Sequence, residues 1–184
     1  MLIVCITGMP GAGKSIAAQA LAAAGWKRVV MGDVIREETR KRGLEPDAKN
    51  TGEVMLALRK EFGEAAVAEL CTEVIRGSGA DRVVVDGIRS LAEVETFRRI
   101  ARVLLIAVHA SRERRYGLLT ERARKDAPVS FQMFVERDQR EMEVGIGEVI
   151  ALADEVISNE RASAETLSAD VVRAVNGWVT GLGG

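Results

Sequence analysis

The chain is short of histidine, cysteine and net charge, and each shortage removes a class of function. One histidine, His109, among 184 residues leaves little basis for a histidine metal cluster or a Ser-His-Asp triad. The two cysteines, Cys5 and Cys71, sit in an apolar run and on a helical pattern without metal spacing, so they read as reduced core residues. A net charge of −1 gives no overall electrostatic basis for binding nucleic acid or an acidic membrane, so any anion site must be local. No apolar run reaches the length of a membrane span. No basic leader or cleavage site precedes the first apolar run, and the expected location is the cytoplasm. No Asn/Thr-Lys-x-Asp stretch for reading guanine follows any apolar run, which argues against a GTPase switch. There is no internal repeat and no low-complexity segment.

What remains is an ordinary globular composition, 47% hydrophobic and 29% charged, long enough for one domain with a sizeable core spanning 1–184. Its most informative stretch is Gly8-Met9-Pro10-Gly11-Ala12-Gly13-Lys14-Ser15. The apolar run Leu2–Thr7 precedes it and a helical pattern from Ile16 to Ala24 follows. Strand, glycine-rich turn and helix are the context in which G-x-x-x-x-G-K-[ST] carries meaning. Glycines let the backbone wrap tightly and point successive N–H groups inward, where they and the positive helix end form an anion nest. The predicted nucleotide-binding residues are Gly8, Met9, Pro10, Gly11, Ala12, Gly13, Lys14, Ser15 and Ile16. Lys14 adds a point charge for the outer phosphates, and Ser15 offers a hydroxyl to Mg²⁺.

Five apolar runs alternate with helical patterns: Leu2–Thr7, Arg28–Met31, Arg82–Asp86, Val103–Val108 and Glu155–Ser158. Runs that are apolar at nearly every position fit strands covered on both faces. The predicted fold is therefore α/β, a three-layer P-loop architecture with a five-stranded parallel sheet. Asp33 is placed to cap a helix from Val34 to Arg42, and Asn50 with Glu53 resembles a cap ahead of helices near Glu53–Phe62 and Glu64–Arg76. Ser90 is placed to cap a helix from Leu91 to Ile100. Further helices are predicted at Ser111–Arg122, Phe131–Glu141, Glu148–Ala153 and Ala164–Val179. The helical stretch 34–77 and the region of about 111–141 read as insertions on one core, an acceptor-side wall and a lid.

In such sheets ligands sit at the carboxyl ends of strands. Asp86 ends the third run and is the candidate second metal residue beside Ser15, acting through water. Arg36 and Arg89 each lie just past a strand end, and two guanidinium groups from separate strands suit the grip of a second phosphate. The break at 122–130 is flanked by Arg112, Arg114, Arg115, Arg122, Arg124, Lys125, Arg137 and Arg140. A lid carrying arginines would place positive charge at a moving phosphoryl group and exclude water. Arg122 and Arg124 are the preferred pair. His109 reads as structural.

These motifs resemble the nucleoside monophosphate kinases, adenylate kinase above all. The resemblance rests on Gly8–Ser15, on Gly32-Asp33 with Arg36, and on Asp86-Gly87-Ile88-Arg89. The stretches Val85–Val94 and Val144–Asp154 are similar to an archaeal group of P-loop kinases described as adenylate-kinase-like or dephospho-CoA-kinase-like. The resemblance implies an ATP-dependent phosphotransferase that uses Mg²⁺ and moves the γ-phosphoryl group to a small nucleotide or nucleotide-like, phosphate-bearing acceptor. It implies catalytic roles for Lys14, Asp33, Arg89, Arg122 and Arg124, and acceptor binding by Asp33, Arg36 and Arg89. Met31 replaces the threonine of the adenylate kinase pattern, and one residue is missing between Gly87 and Arg89. Glu93 stands where that family has the glutamine that reads adenine, and a carboxylate cannot make an amide's donor-plus-acceptor contact. Dephospho-CoA kinase is the alternative, with Asp33 as the base for a ribose hydroxyl. A regulatory ATPase is the other.

Overall fold

The computed structural model describes residues 1–121 and 130–182. Elements follow in the order β1 (Leu2–Thr7), α1 (Lys14–Ala23), β2 (Lys27–Val30), α2 (Met31–Lys41), α3 (Ala48–Phe62), α4 (Ala66–Ser78) and β3 (Arg82–Asp86). They continue with α5 (Leu91–Arg98), β4 (Arg102–His109), α6 (Arg112–Glu121), α7 (Phe131–Glu143), α8 (Ile146–Ala151), β5 (Glu155–Ser158) and α9 (Ala164–Gly181). The strands form one parallel sheet in the order β2-β3-β1-β4-β5.

β1 lies at the centre, and its Ile3, Val4, Cys5 and Ile6 have no exposed surface. The period of two divides them between faces. Ile3 and Cys5 pack with Val29, Val83, Val85 and Leu105 against α2, α3, α4, α5 and α8. Val4 and Ile6 pack with Val84, Leu104 and Ile106 against Ala17, Leu21, Leu167 and Val171 of α1 and α9. Each such side chain contributes about 1.5–3 kcal/mol by leaving water. The three-layer α/β fold expected from the sequence is thus the fold observed. Both cysteines are buried and unbridged.

Several predicted boundaries shift. α2 begins at Met31, with Val30 at the N-cap and no side-chain cap. Asp33 is therefore inside the first turn, where a carboxylate favours the helix dipole, and does not cap a helix at Val34. α3 begins at Ala48, capped by the Asp47 side chain, which accepts from the Asn50 N–H at 2.7 Å. Asn50 is thus the capped residue and Asp47 the cap. α4 starts at Ala66, and α8 starts at Ile146 behind Gly145. Ser90 caps α5 as predicted.

Candidate active site

Two carbonyls of the loop between β1 and α1 are tied to side chains from distant elements. The side chain of Asn159, buried just past β5, donates from Nδ2 to the Ala12 carbonyl at 2.9 Å. Arg115 of α6 donates from Nη1 to the Pro10 carbonyl at 3.0 Å. Within the loop the Ala12 N–H donates to the Met9 carbonyl at 3.1 Å, which closes the turn. Two glycines are required by close approach as well as by backbone angle. Gly8 has φ +139°, and a Cβ there would lie 2.3 Å from the Val108 carbonyl oxygen. Gly13 has φ +111°, and a Cβ would lie 2.7 Å from Asn159 Nδ2.

Lys14 turns back onto this loop. Its Nζ donates to the Gly8 carbonyl at 2.6 Å and to the Met9 carbonyl at 3.2 Å. Burial pushes its ammonium down to about 8; Glu141 and Asp86 oppose the shift, and Arg89 and Arg137 add to it. Lys14 thus feels the charges of Asp86, at the carboxyl end of β3, and of Arg89, Arg137 and Glu141. Asp86 pairs in register with Ile6 of β1 and Val30 of β2. Past it, the Gly87 and Ile88 N–H groups both donate to the Ile6 carbonyl at 3.2 Å, and Thr7 Oγ1 donates to the Ile88 carbonyl at 2.9 Å. Those bonds latch the turn that carries Arg89 to the central strand.

Asp86 is buried and accepts from Arg28 Nη2 at 2.6 Å, a partner on β2 that the sequence did not signal. A carboxylate has room for about four hydrogen bonds, so this pair leaves Asp86 capacity for a metal-bound water. Among the described residues no cluster of three or more His, Cys, Asp or Glu could hold a metal. A Mg²⁺ ion fits this site in the mode that hard, water-retaining cations use, with one hydroxyl, one carboxylate and nucleotide phosphates.

On the acceptor side, the two predicted arginines have different partners. Arg36 pairs with Asp33 one turn back on α2, and both side chains are substantially exposed. Arg89 pairs through Nε with Glu141 of α7 at 3.0 Å and points Nη1 at the Met55 sulfur of α3, 3.5 Å away. Asp33 and Arg36 instead line a cleft of about 390 Å³ between α2 and α4.

Glu93, which replaces the adenine-reading glutamine of the adenylate kinase pattern, has a structural role here. It is buried, and Oε2 accepts from the Arg89 and Ser90 N–H groups at 2.7 and 3.2 Å, a capping box with Ser90. Oε1 accepts from Arg59 Nη2 of α3 at 2.7 Å. Burial raises its carboxyl above the usual range; the Arg59 charge and these bonds pull the other way.

The predicted lid pair, Arg122 and Arg124, lies outside the described residues. Of the flanking arginines, Arg115 reaches the loop, and Asp138 of α7 holds it by two bonds of 2.8 and 2.6 Å. Both side chains are about 5% exposed, and the guanidinium lies over the Phe134 ring at 5.0 Å. His109 ends β4 on the surface, and its carbonyl accepts from the Asn159 N–H at 2.7 Å.

Comparison with known proteins bears on the family and the fold. A family model described as an AAA domain matches residues 7–132. A UPF0200 protein of Methanocaldococcus jannaschii is 45% identical over 170 residues, 91% of this chain and 86% of the relative. One of Thermococcus kodakarensis is 42% identical over 180 residues, 95% of this chain and 97% of the relative. Among solved structures, TT1252 from Thermus thermophilus matches with a TM-score of 0.69 at 20% identity, covering 96% of each chain. Shikimate kinase from Acinetobacter baumannii in complex with shikimate matches with a TM-score of 0.57 at 14% identity, covering 96% of this chain and 93% of that one. These likenesses establish a P-loop kinase-like fold.

Proposed function

The chain belongs to the archaeal UPF0200 family, and on that premise we propose that it is an ATP-dependent phosphotransferase for a small acceptor. The supporting observation is the convergence of two anion-directed groups. The Gly8–Ser15 nest and Lys14 stand at the end of β1, and Arg89 stands beside them past the end of β3. A nucleotide-binding module needs the first alone. A kinase needs a second grip for its acceptor.

In this reading the loop amides and Lys14 hold the β- and γ-phosphates. Lys14 exchanges the Gly8 and Met9 carbonyls for phosphate oxygens. Ser15 and, through water, Asp86 would hold Mg²⁺, which supplies charge neutralisation across the phosphates. Arg89 holds the acceptor's anionic group. Arg36 joins it with the guanidinium edge that Asp33 does not occupy, or by leaving that exposed pair. Arg122 and Arg124 remain the proposed closing pair, and cytoplasmic location remains the expectation.

Adenylate-kinase-like transfer to a nucleotide is the first form of this reading, with an acceptor whose base is not read by Glu93. The second is transfer to a hydroxyl with Asp33 as base. It is favoured by the exposed position of Asp33 on the open cleft, where a substrate could reach it. The fold neighbours named as shikimate and sugar kinases put such acceptors in the panel. The test is ATP consumption with AMP, other nucleoside monophosphates, dephospho-CoA, shikimate, or no acceptor. Stimulation by one acceptor, with a phosphorylated product, is the expected result. ATP loss that no acceptor changes would leave the regulatory ATPase in its place. Asp33→Asn abolishes transfer only in the hydroxyl form.

A further inference from the structure

Helix α7 carries two carboxylates three residues apart, and each holds an arginine from a different half of the site. Asp138 grips Arg115 by two bonds, and Arg115 in turn donates to the Pro10 carbonyl of the phosphate loop at 3.0 Å. Glu141 grips Arg89 at Nε, 3.0 Å away, and the Arg89 backbone N–H is fixed by Glu93 at 2.7 Å. An i,i+3 spacing puts both carboxylates on one helix face. Phe134, one turn before Asp138, is fully buried on that face and lies beneath the Arg115 guanidinium. Glu141 is also the strongest favourable charge acting on Lys14.

We propose that α7 is a strut coupling the donor and acceptor halves, with Asp138 and Glu141 as its positioning residues. The inference rests on the phosphotransferase reading of this site. Arg115 is a rigid planar fork bound to the loop on one side and to Asp138 on the other. A loop that settles on phosphates therefore fixes Arg115, and through it α7. Glu141 follows on the same rigid helix. With Nε held by Glu141, Arg89 presents its remaining edge in one orientation, and the entropy of ordering that side chain is already spent before the acceptor arrives. Coupling of this kind is reciprocal: an acceptor that seats Arg89 steadies the phosphate loop by the same factor.

The experiment is calorimetric titration of the full chain with Mg·AMPPNP, alone and in the presence of AMP or dephospho-CoA as acceptor-side probes. The quantity read is the ratio of the two AMPPNP dissociation constants. In the wild type, at least one probe tightens AMPPNP binding about tenfold, within the ordinary range of coupling between sites. Glu141→Gln brings the ratio close to one, and Asp138→Asn does the same. A merely structural role would change both dissociation constants together and leave their ratio alone. If Asp138→Asn fails to fold, Glu141→Gln still decides, because Arg89 is 40% exposed and its pair is not a core element. A ratio unchanged in Glu141→Gln overturns the proposal. So does a wild type that binds AMPPNP with no response to either probe, while acceptor-stimulated turnover leaves the phosphotransferase reading intact. A wild type that binds no AMPPNP overturns that reading itself, and the strut with it.

Discussion

Lys14 makes the apo protein less stable than it would otherwise be, and the size of that effect follows from its surroundings. Its ammonium has two carbonyl partners in a half-buried position, and desolvation lowers its pKa from 10.5 to about 8. At about 1.4 kcal/mol per pH unit, that gap is worth roughly 3 kcal/mol. The sign is fixed by linkage. Between about 8 and 10.5 the unfolded chain holds the Lys14 proton and the folded chain does not, so stability rises with pH across that window. Below the window the whole penalty is present. The two buried thiols act oppositely. Burial pushes Cys5 far above its ordinary range and Cys71 up to about 12, so unfolding releases their protons at high pH and stability falls. Lys14→Met removes one contribution and leaves the other. Urea unfolding of both chains across the window gives the difference directly. The variant exceeds the wild type by up to roughly 3 kcal/mol near neutral pH, and that excess shrinks as pH rises. A difference that is flat with pH refutes the argument. Bound phosphates restore the lysine's charge, so Mg·AMPPNP binding near the top of the window takes up a proton. Calorimetry in buffers of different ionisation enthalpy reads this; no uptake would count against Lys14 as the phosphate ligand.

Three further outcomes follow from the geometry. Arg115→Met leaves Asp138 buried without its cation and the Pro10 carbonyl without that donor, so it lowers unfolding free energy by about 3–5 kcal/mol in urea. Glu93→Gln breaks the charge pair with Arg59 and weakens the capping box; about 2 kcal/mol is lost on denaturation, and acceptor KM rises more than kcat falls. Gly8→Ala forces a methyl group onto the Val108 carbonyl in a backbone region reserved for glycine, so nucleotide binding by titration is lost; retained affinity would mean that the loop can rebuild.

The sheet was legible because β1, β3 and β4 are buried on both faces and read as nearly unbroken apolar runs. The loop was legible because its signature is local. Charge pairing was not. Arg115 is one of many cations near the break, and what sets it apart is Asp138, 23 residues away and on another helix. Arg28 is singled out by Asp86, 58 residues away, and Asn159 by Ala12, 147 residues away. No periodicity records such partners. One misreading had a local cause. Gly32-Asp33 after an apolar run looks like a strand end with a cap, yet Met31, a good helix former, lets the helix begin at once. Ser90-x-x-Glu93 is a capping-box spacing, of which the sequence reading took only the Ser90 cap.

Among the described residues, the cations proposed to grip an anion, Lys14, Arg36 and Arg89, each have an internal partner, and that partner bears on the free energy of binding. Arg36 and Asp33 form an exposed pair, worth about 0–1 kcal/mol, and either can leave at little cost. Arg89 keeps Glu141 at Nε and offers its other edge, so it need not exchange at all. Lys14 is the opposite case: a half-buried cation that donates to neutral carbonyls, while Glu141 and Asp86, the carboxylates that act on it, are engaged by Arg89 and Arg28. It stands to gain most from a phosphate. Under the phosphotransferase reading, the donor half therefore supplies affinity through relief of a charged group held in poor company. The acceptor half contributes orientation more than attraction, because its arginine arrives already neutralised. Discrimination among acceptors then falls to shape, and the surface that can supply it is the face of α3 that presents Met55 to Arg89 and anchors Arg59 on Glu93.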